Sequence, residues 1–301
     1  MKCFDLQVNG AFGIDFSNPD LTGEQFIRTA EKILSAGVTR FLPTVITSSM
    51  ETYQKNLPCI VNAIEKAGLN YEIPGLHLEG PFISGEPGAV GAHPKEAVLP
   101  PALESLQQLW NFSSGKIRLL TIAAEIPGAN ELADQASKMN ISISLGHQLA
   151  SAGQIRAITK AKALTHLGNG IPNMIDRHRN PIWSGLANDN LTVLFITDGH
   201  HLPAELIQCF IRCKGTDKLI VTSDASSAAG LPPGNYSVLG NNAILDNTGK
   251  LYNPEKQCLV GSASLMPRCI EYLKSLSLVS EKELEQMIWI NPHKLLNMNP
   301  I

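Results

Sequence analysis

Eight short apolar runs, each followed by a polar turn or an amphipathic window, constrain the fold of this chain more than any other feature. The runs are FDLQV, VTRFLPTVI, IPGLHLE, IRLLTIAAE, ISISLGH, ALTHL, LTVLFITD and LIVTSD. Between them lie helical windows. In TGEQFIRTAEKILSAG, Thr22 is a suitable N-cap and Gly37 a suitable stop. Pro58 should kink or divide SMETYQKNLPCIVNAIEKAG. PPALESLQQLW, GANELADQASKMN, SAGQIRAITKA and PAELIQCFIRCKG complete the set. Eight strand-then-helix units predict an α/β fold, a (β/α)8 barrel. Several runs are apolar on both faces, as parallel strands covered by helices should be, a pattern shared by a doubly wound open sheet. The sixth crossover, Gly168 to Asn190, is rich in Pro, Asn and Arg and poor as a helix. The Gly/Pro/Asn-rich stretch at about 228–257 reads as a hairpin-like insertion ahead of helices at about 262–298. The expectation is one barrel domain over residues 1–301.

A chain of 301 residues can bury a core of that size. Lys+Arg 24 against Asp+Glu 27 leaves a net charge of -3 with no basic stripe, which excludes nucleic acid as the expected partner. The start MKCFDLQVNG has no signal-like apolar segment, and no run approaches the roughly 20 apolar residues of a membrane span, so a soluble, cytoplasmic protein is expected. The six cysteines (Cys3, Cys59, Cys209, Cys213, Cys258 and Cys269) are scattered and read as reduced thiols.

In a barrel of this kind the active site lies at the carboxyl ends of the strands. Polar groups stand at nearly every such end: Gln7 and Asn9, Glu79, Glu125, His147, His166, Asp198 and Asp224. Singly, each has a plain alternative. A lone His147 is more often a hydrogen-bonding group than a ligand, and Glu125 or Asp198 could cap a helix or hold loop amides. Together, Glu79, His147 and His166 supply one carboxylate and two imidazoles, a ligand set that leaves a divalent metal an open position. Asp224 faces them as a base that could take a proton from water and return it to a leaving group. His77, two residues before Glu79 on the same strand face, reads as a deeper hydrogen-bonding support.

The ordered motifs HLEGPF (77–82), GAH (91–93), GH (146–147), THLGNG (165–170), DGHH (198–201), VTSDASSAAG (221–230), GSAS (261–264) and NP (291–292) resemble those of the N-acetylglucosamine-6-phosphate deacetylases, within the amidohydrolase superfamily. The resemblance covers nearly the whole chain. It implies a TIM barrel of the metal-dependent hydrolase type that removes acetate from an N-acetylated amino-sugar phosphate, N-acetylglucosamine 6-phosphate first. It places Glu79, His147 and His166 on the metal, Asp224 as base and then acid, and His201 on the substrate carbonyl. It puts Ala92 with His93, Asn169 with Gly170, and Arg177 around the sugar phosphate, with Arg179 and His178 close enough to compete and Ser262 and Ala263 lining the sugar. It implies one divalent ion, Zn2+ first and Fe2+, Co2+ or Mn2+ as alternatives, and a homodimer whose partner subunit helps to bind phosphate. Another N-acyl or cyclic-amide specificity, or a non-catalytic sugar-phosphate binder, are the alternative readings.

Three departures shape these expectations. Many amidohydrolases open with His-x-His on the first strand to hold a second metal; here Gln7 and Asn9 stand there, so one metal is expected. The family's small β-domain has no counterpart in this sequence and is expected to be absent. Gly168 stands where the family often has a larger residue, and GIPNMIDRHRNPIW is longer and more basic, so the sugar pocket should differ.

Overall fold

The computed structural model describes residues 1–300. Eight parallel strands follow one another in sequence order: β1 Phe4–Val8, β2 Arg40–Ile46, β3 Leu76–Glu79, β4 Ile117–Ile122, β5 Ser142–Leu145, β6 Ala161–Leu164, β7 Thr192–Ile196 and β8 Leu219–Thr222. All eight predicted runs are therefore strands, and their consecutive parallel order is that of the expected (β/α)8 barrel. Among the described residues no regular ladder joins β1 to β8. A single bridge pairs Val8 with Ala225, and the buried carboxylate of Asp5 spans the seam. Asp5 accepts hydrogen bonds from the amide of Gln7 on its own strand and from the hydroxyls of Thr222 and Ser223 on the other side.

Helices α1 Gly23–Ser35, α2 Met50–Ala67, α3 Leu103–Phe112, α4 Ala129–Lys138, α5 Ala152–Ala157, α6 Pro181–Leu186, α7 Ala204–Lys214 and α8 Met266–Ser275 surround the strands, and the short α9 Glu281–Glu285 and α10 Asn291–Leu295 follow them. Thr22 and Gln25 form a reciprocal capping box at the start of α1. Pro58 does not divide α2, which runs unbroken for 18 residues. A mid-helix proline costs about 3 kcal/mol, a loss that burial of Leu57, Ile60, Val61 and Ile64 on the same helix can offset. The weak sixth crossover forms only the short α6, which begins on Asn180 as N-cap.

Residues 234–259 form a four-stranded antiparallel meander rather than a hairpin: β9 Gly234–Val238, β10 Asn241–Leu245, β11 Leu251–Asn253 and β12 Cys258–Leu259. It has an apolar cluster of its own, in which Val238, Ala243, Leu245 and Leu251 pack with Ile46 from the end of β2. That contact seats the meander on the strand ends. No helix among the described residues is long and apolar enough to cross a membrane.

Candidate active site

The polar residues at the strand ends meet in one cavity of about 630 Å³, lined by Asn9, Glu79, His93, His147, His166 and Asp224 among others. His147, His166 and Asp224 adopt left-handed backbone (φ +49°, +28° and +52°), which non-glycine residues seldom take and which turns each side chain out of its strand direction. Glu79 is followed by Gly80 at φ +92°, where a Cβ would lie 2.1 Å from the Thr47 hydroxyl, so only glycine fits the turn. Glu125 is no part of this group: its carboxylate accepts the amide of Leu149 at 2.6 Å, the loop-anchor role.

Glu79 is the centre of the cluster. Its Oε1 lies 2.8 Å from His166 Nε2 and 3.3 Å from His147 Nε2, and its Oε2 lies 3.6 Å from His93 Nε2. The two imidazole nitrogens of His147 and His166 are 3.1 Å apart. Glu79, His93 and His147 have the spacing of a metal-ligand group, and His166 touches two of the three. Hydrogen bonding separates their roles. His147 Nδ1 faces the carbonyl of Ala89 at 2.8 Å, so it carries the proton and Nε2 turns a lone pair into the cluster. His93 is reversed: its Nδ1 accepts the amide of Thr47 at 3.3 Å, so its Nε2–H is a donor. Burial and the neighbouring His147 press His93 down to about 4, which keeps it neutral. A Glu/His/His cluster of this kind could hold a divalent cation, with Glu79 and His147 turned into it. Burial disfavours the charged form of Glu79, but the imidazoles around it, with the N–H groups of His166 and His93 turned to the carboxylate, outweigh it and hold the carboxyl well below its ordinary range.

Asp224 shows the opposite shift. Burial first, and then the charge of Glu79, raise it to about 6. Gln7 Nε2 links the two carboxylates, donating to Glu79 Oε1 at 2.8 Å and to Asp224 Oδ1 at 2.9 Å, while Asn9 Nδ2 donates to the same Asp224 oxygen at 2.7 Å. The neutral amides in the His-x-His position are therefore hydrogen-bond donors to the base, a role for which their spacing of two on one strand face was the only sequence signal. His77 lies beneath, hydrogen-bonded at Nδ1 to the Leu6 carbonyl and at Nε2 to Thr121.

His201 also lines the cavity, and its Nδ1 bonds Asp198 Oδ2 at 2.8 Å. Burial of Asp198 opposes its charge, but the His201 ring and the amides of His200 and His201 hold its carboxyl below the ordinary range. Ser262 hydroxyl donates to the same Asp198 oxygen at 2.8 Å and its amide to the Asp224 carbonyl. Ala92, Asn169 and Gly170 are on the cavity wall; Ser262 and Ala263 are not among its lining residues. Gly168, at φ +97°, leaves only 2.9 Å between a would-be Cβ and Leu202, which accounts for the small residue in this loop. Arg177, His178 and Arg179 are exposed and outside the lining of this chain's cavity. A larger trough of about 1110 Å³ adjoins this cavity and shares His93 in its wall, but Glu79 and Asp224 do not line it.

A (β/α)8 barrel that sets a carboxylate–imidazole cluster against a second, protonatable carboxylate at its mouth defines a hydrolase of the amidohydrolase type. No family model matches the chain. The N-acetylglucosamine-6-phosphate deacetylase of Danio rerio is 31% identical over 98% of this chain and 74% of that protein. The N-acetylgalactosamine-6-phosphate deacetylase of Escherichia coli O157:H7 is 28% identical over 99% of this chain and 78% of its own length. The crystal structure of N-acetyl-D-glucosamine-6-phosphate deacetylase from Mycobacterium smegmatis matches the fold with a TM-score of 0.90 at 24% identity, over 99% of this chain and 78% of that one. The chain belongs to the N-acetylglucosamine-6-phosphate deacetylase family. It spans 61% to 78% of the length of such relatives.

Proposed function

We propose that this protein hydrolyses the N-acetyl group of an amino-sugar phosphate, N-acetylglucosamine 6-phosphate first, to acetate and the free amine. The observation that carries the reading is the pairing across Gln7: a ligand-ready cluster on one side and, on the other, Asp224 raised to about 6. Glu79, His147 and His166 would hold a single divalent ion, Zn2+ before Fe2+, Co2+ or Mn2+, since imidazole and carboxylate ligands suit all four. Such an ion supplies Lewis-acid chemistry, polarising the acyl carbonyl and acidifying water. Asp224 takes a proton from the attacking water as oxygen bonds to the acyl carbon. It returns that proton to the amide nitrogen as the carbon–nitrogen bond breaks, so one carboxylate serves both steps and ends as it began. His93 Nε2–H points into the same space and donates to the carbonyl oxygen, and His201, oriented by Asp198, contacts the substrate.

The barrel and its meander act as one catalytic unit under this reading. Exposed Met174 on the loop after β6 and exposed Trp183 on α6, which bonds the Arg177 carbonyl, support a homodimer in which this segment reaches the neighbouring subunit. Six free thiols support a cytoplasmic setting. The deciding assay is acetate release from N-acetylglucosamine 6-phosphate and N-acetylgalactosamine 6-phosphate, with and without chelator. Release that chelator abolishes and added Zn2+ restores is expected. No release from either sugar by metal-loaded protein would sink the reading.

A further inference from the structure

The meander also fastens the loop that carries His93. Between β3 and α3 only the short 3-10 turn Lys95–Ala97 is regular, so the place of His93 in this segment depends on contacts from outside it. Two such contacts come from the meander. Ala92 packs against its apolar cluster, and the Ala92 carbonyl accepts Asn241 Nδ2 at 2.9 Å. Leu239 and Gly240, at φ +50° and +71°, close the turn between β9 and β10 and leave Asn241 buried as the first residue of β10. Asn241 Nδ2 also donates to the Leu239 carbonyl at 2.8 Å, and its Oδ1 accepts the Lys256 ammonium at 2.6 Å. Lys256 is exposed on the turn between β11 and β12, where its own amide donates to Asn253 Oδ1 at 3.0 Å.

An asparagine side chain offers one acceptor oxygen and one amino group with two donors. Here the lysine takes the oxygen, so the amino group faces the two carbonyls and the direction of the amide is set. The Thr47 amide fixes the tautomer of the His93 ring, whereas Asn241 holds the backbone one residue before it. An oxyanion donor is effective only when it lies about 2.7–3.1 Å from the oxygen it stabilises, so the placing of that backbone bears on the rate. We propose that Asn241, oriented by Lys256, is a positioning residue for His93, and that through this pair the meander sets the His93 Nε2–H at the acyl oxygen. This rests on the deacetylase reading and adds the device that aligns its oxyanion donor. Neither Asn241 nor Lys256 lines the cavity around Glu79 and Asp224, so the pair acts on the reaction through His93 and not by touching substrate.

Steady-state kinetics of metal-loaded wild type, Asn241→Asp, Lys256→Met and His93→Gln on N-acetylglucosamine 6-phosphate, with each meander variant also combined with His93→Gln, provide the test. Asn241→Asp keeps the size of the side chain and its lysine partner but has no donor for the Ala92 carbonyl. Its kcat should fall about 10- to 100-fold, the range for a catalytic group displaced by up to about 1 Å, while KM stays within about twofold and metal content is unchanged. Lys256→Met, a change at an exposed side chain, should lower kcat by a smaller factor, and it carries the test if Asn241→Asp folds poorly. In the His93→Gln background either change should cost almost nothing more, because a residue that acts through His93 has nothing left to align. An unchanged kcat in the folded variants, a loss that falls on KM instead, or a loss that persists in full without His93 overturns the proposal. Nitrogen NMR of the histidine side chains separates this inference from the reading beneath it. The Nε2–H signal that His93→Gln removes should shift or broaden in Asn241→Asp and Lys256→Met. If wild type releases no acetate yet that signal moves, the hydrolase reading falls and the alignment stands. A signal identical in wild type and both meander variants removes the alignment whatever the turnover.

Discussion

At the scale of single residues, the site is organised by which nitrogen of each histidine already has a partner. Ala89 and Thr47 offer a carbonyl and an amide respectively, and that difference makes His147 an acceptor and His93 a donor within one small space. The two carboxylates are divided in the same way, Glu79 held charged by the imidazole N–H groups turned to it and Asp224 raised by burial and by Glu79 itself. Asp224→Asn keeps the shape of the side chain but cannot accept a proton. It should retain metal and KM while kcat falls about 10²–10⁴-fold, or further because one group serves both proton transfers. Metal content, melting temperature and kcat measured on one preparation check this. A loop-anchor role for Asp224 would instead lower the melting temperature and reduce kcat only in proportion to the folded protein lost.

At the scale of elements, side chains complete what backbone ladders leave open. Asp5 spans the β1–β8 seam, and at the start of β2 Arg40 joins α10 through His293. Arg40 Nη1 donates to His293 Nε2 at 2.7 Å, and His293 Nδ1 donates to the Trp289 carbonyl at 2.6 Å, so the ring is neutral with a defined tautomer. Burial, and then the charge of Arg40, lower the His293 pKa. An unfolded histidine takes up a proton below about 6.5, which the folded one resists. The contribution to stability is complete above that pH and is lost as the pH falls through it toward the lower folded value. Denaturant titrations between about pH 5 and 8 should show wild type losing stability on acidification, and His293→Gln should flatten that part of the slope. An identical slope in both proteins would remove His293 from the account.

At the scale of the whole molecule, the barrel supplies a ring of strand ends and the meander packs over it, so two layers line one cavity. The cluster at the mouth carries a stoichiometric consequence. After adventitious metal is removed, about one tightly held divalent ion per chain is expected, because Gln7 and Asn9 are occupied as donors to carboxylates and leave a single three-ligand set. An ion that binds only the folded state adds about 2.7 kcal/mol at a hundredfold excess over its Kd. Chelation should therefore lower the melting temperature by several degrees. Elemental analysis with thermal melts reads both quantities, and two tightly held ions per chain would contradict the single-site arrangement.

The amino-acid sequence by itself determined the eight parallel strands and the strand-end positions of Gln7, Asn9, Glu79, His147, His166, Asp198 and Asp224, while their periodicity alone suits an open sheet as well as a barrel. Strand period and turn residues are local properties, and a parallel barrel necessarily brings such ends together. The unbroken α2 was not legible, because the cost of Pro58 is local whereas the apolar burial that offsets it is tertiary. Only the tertiary structure decided that His93 is a donor while His147 presents a lone pair, since Thr47 and Ala89 lie 46 and 58 residues away in the chain. It likewise decided that Gln7 joins Glu79 to Asp224, and that an asparagine from the meander holds the loop of His93 while Arg177 stands outside the cavity. Each of these depends on contacts between distant segments, and short-range periodicity carries no record of which segments will meet.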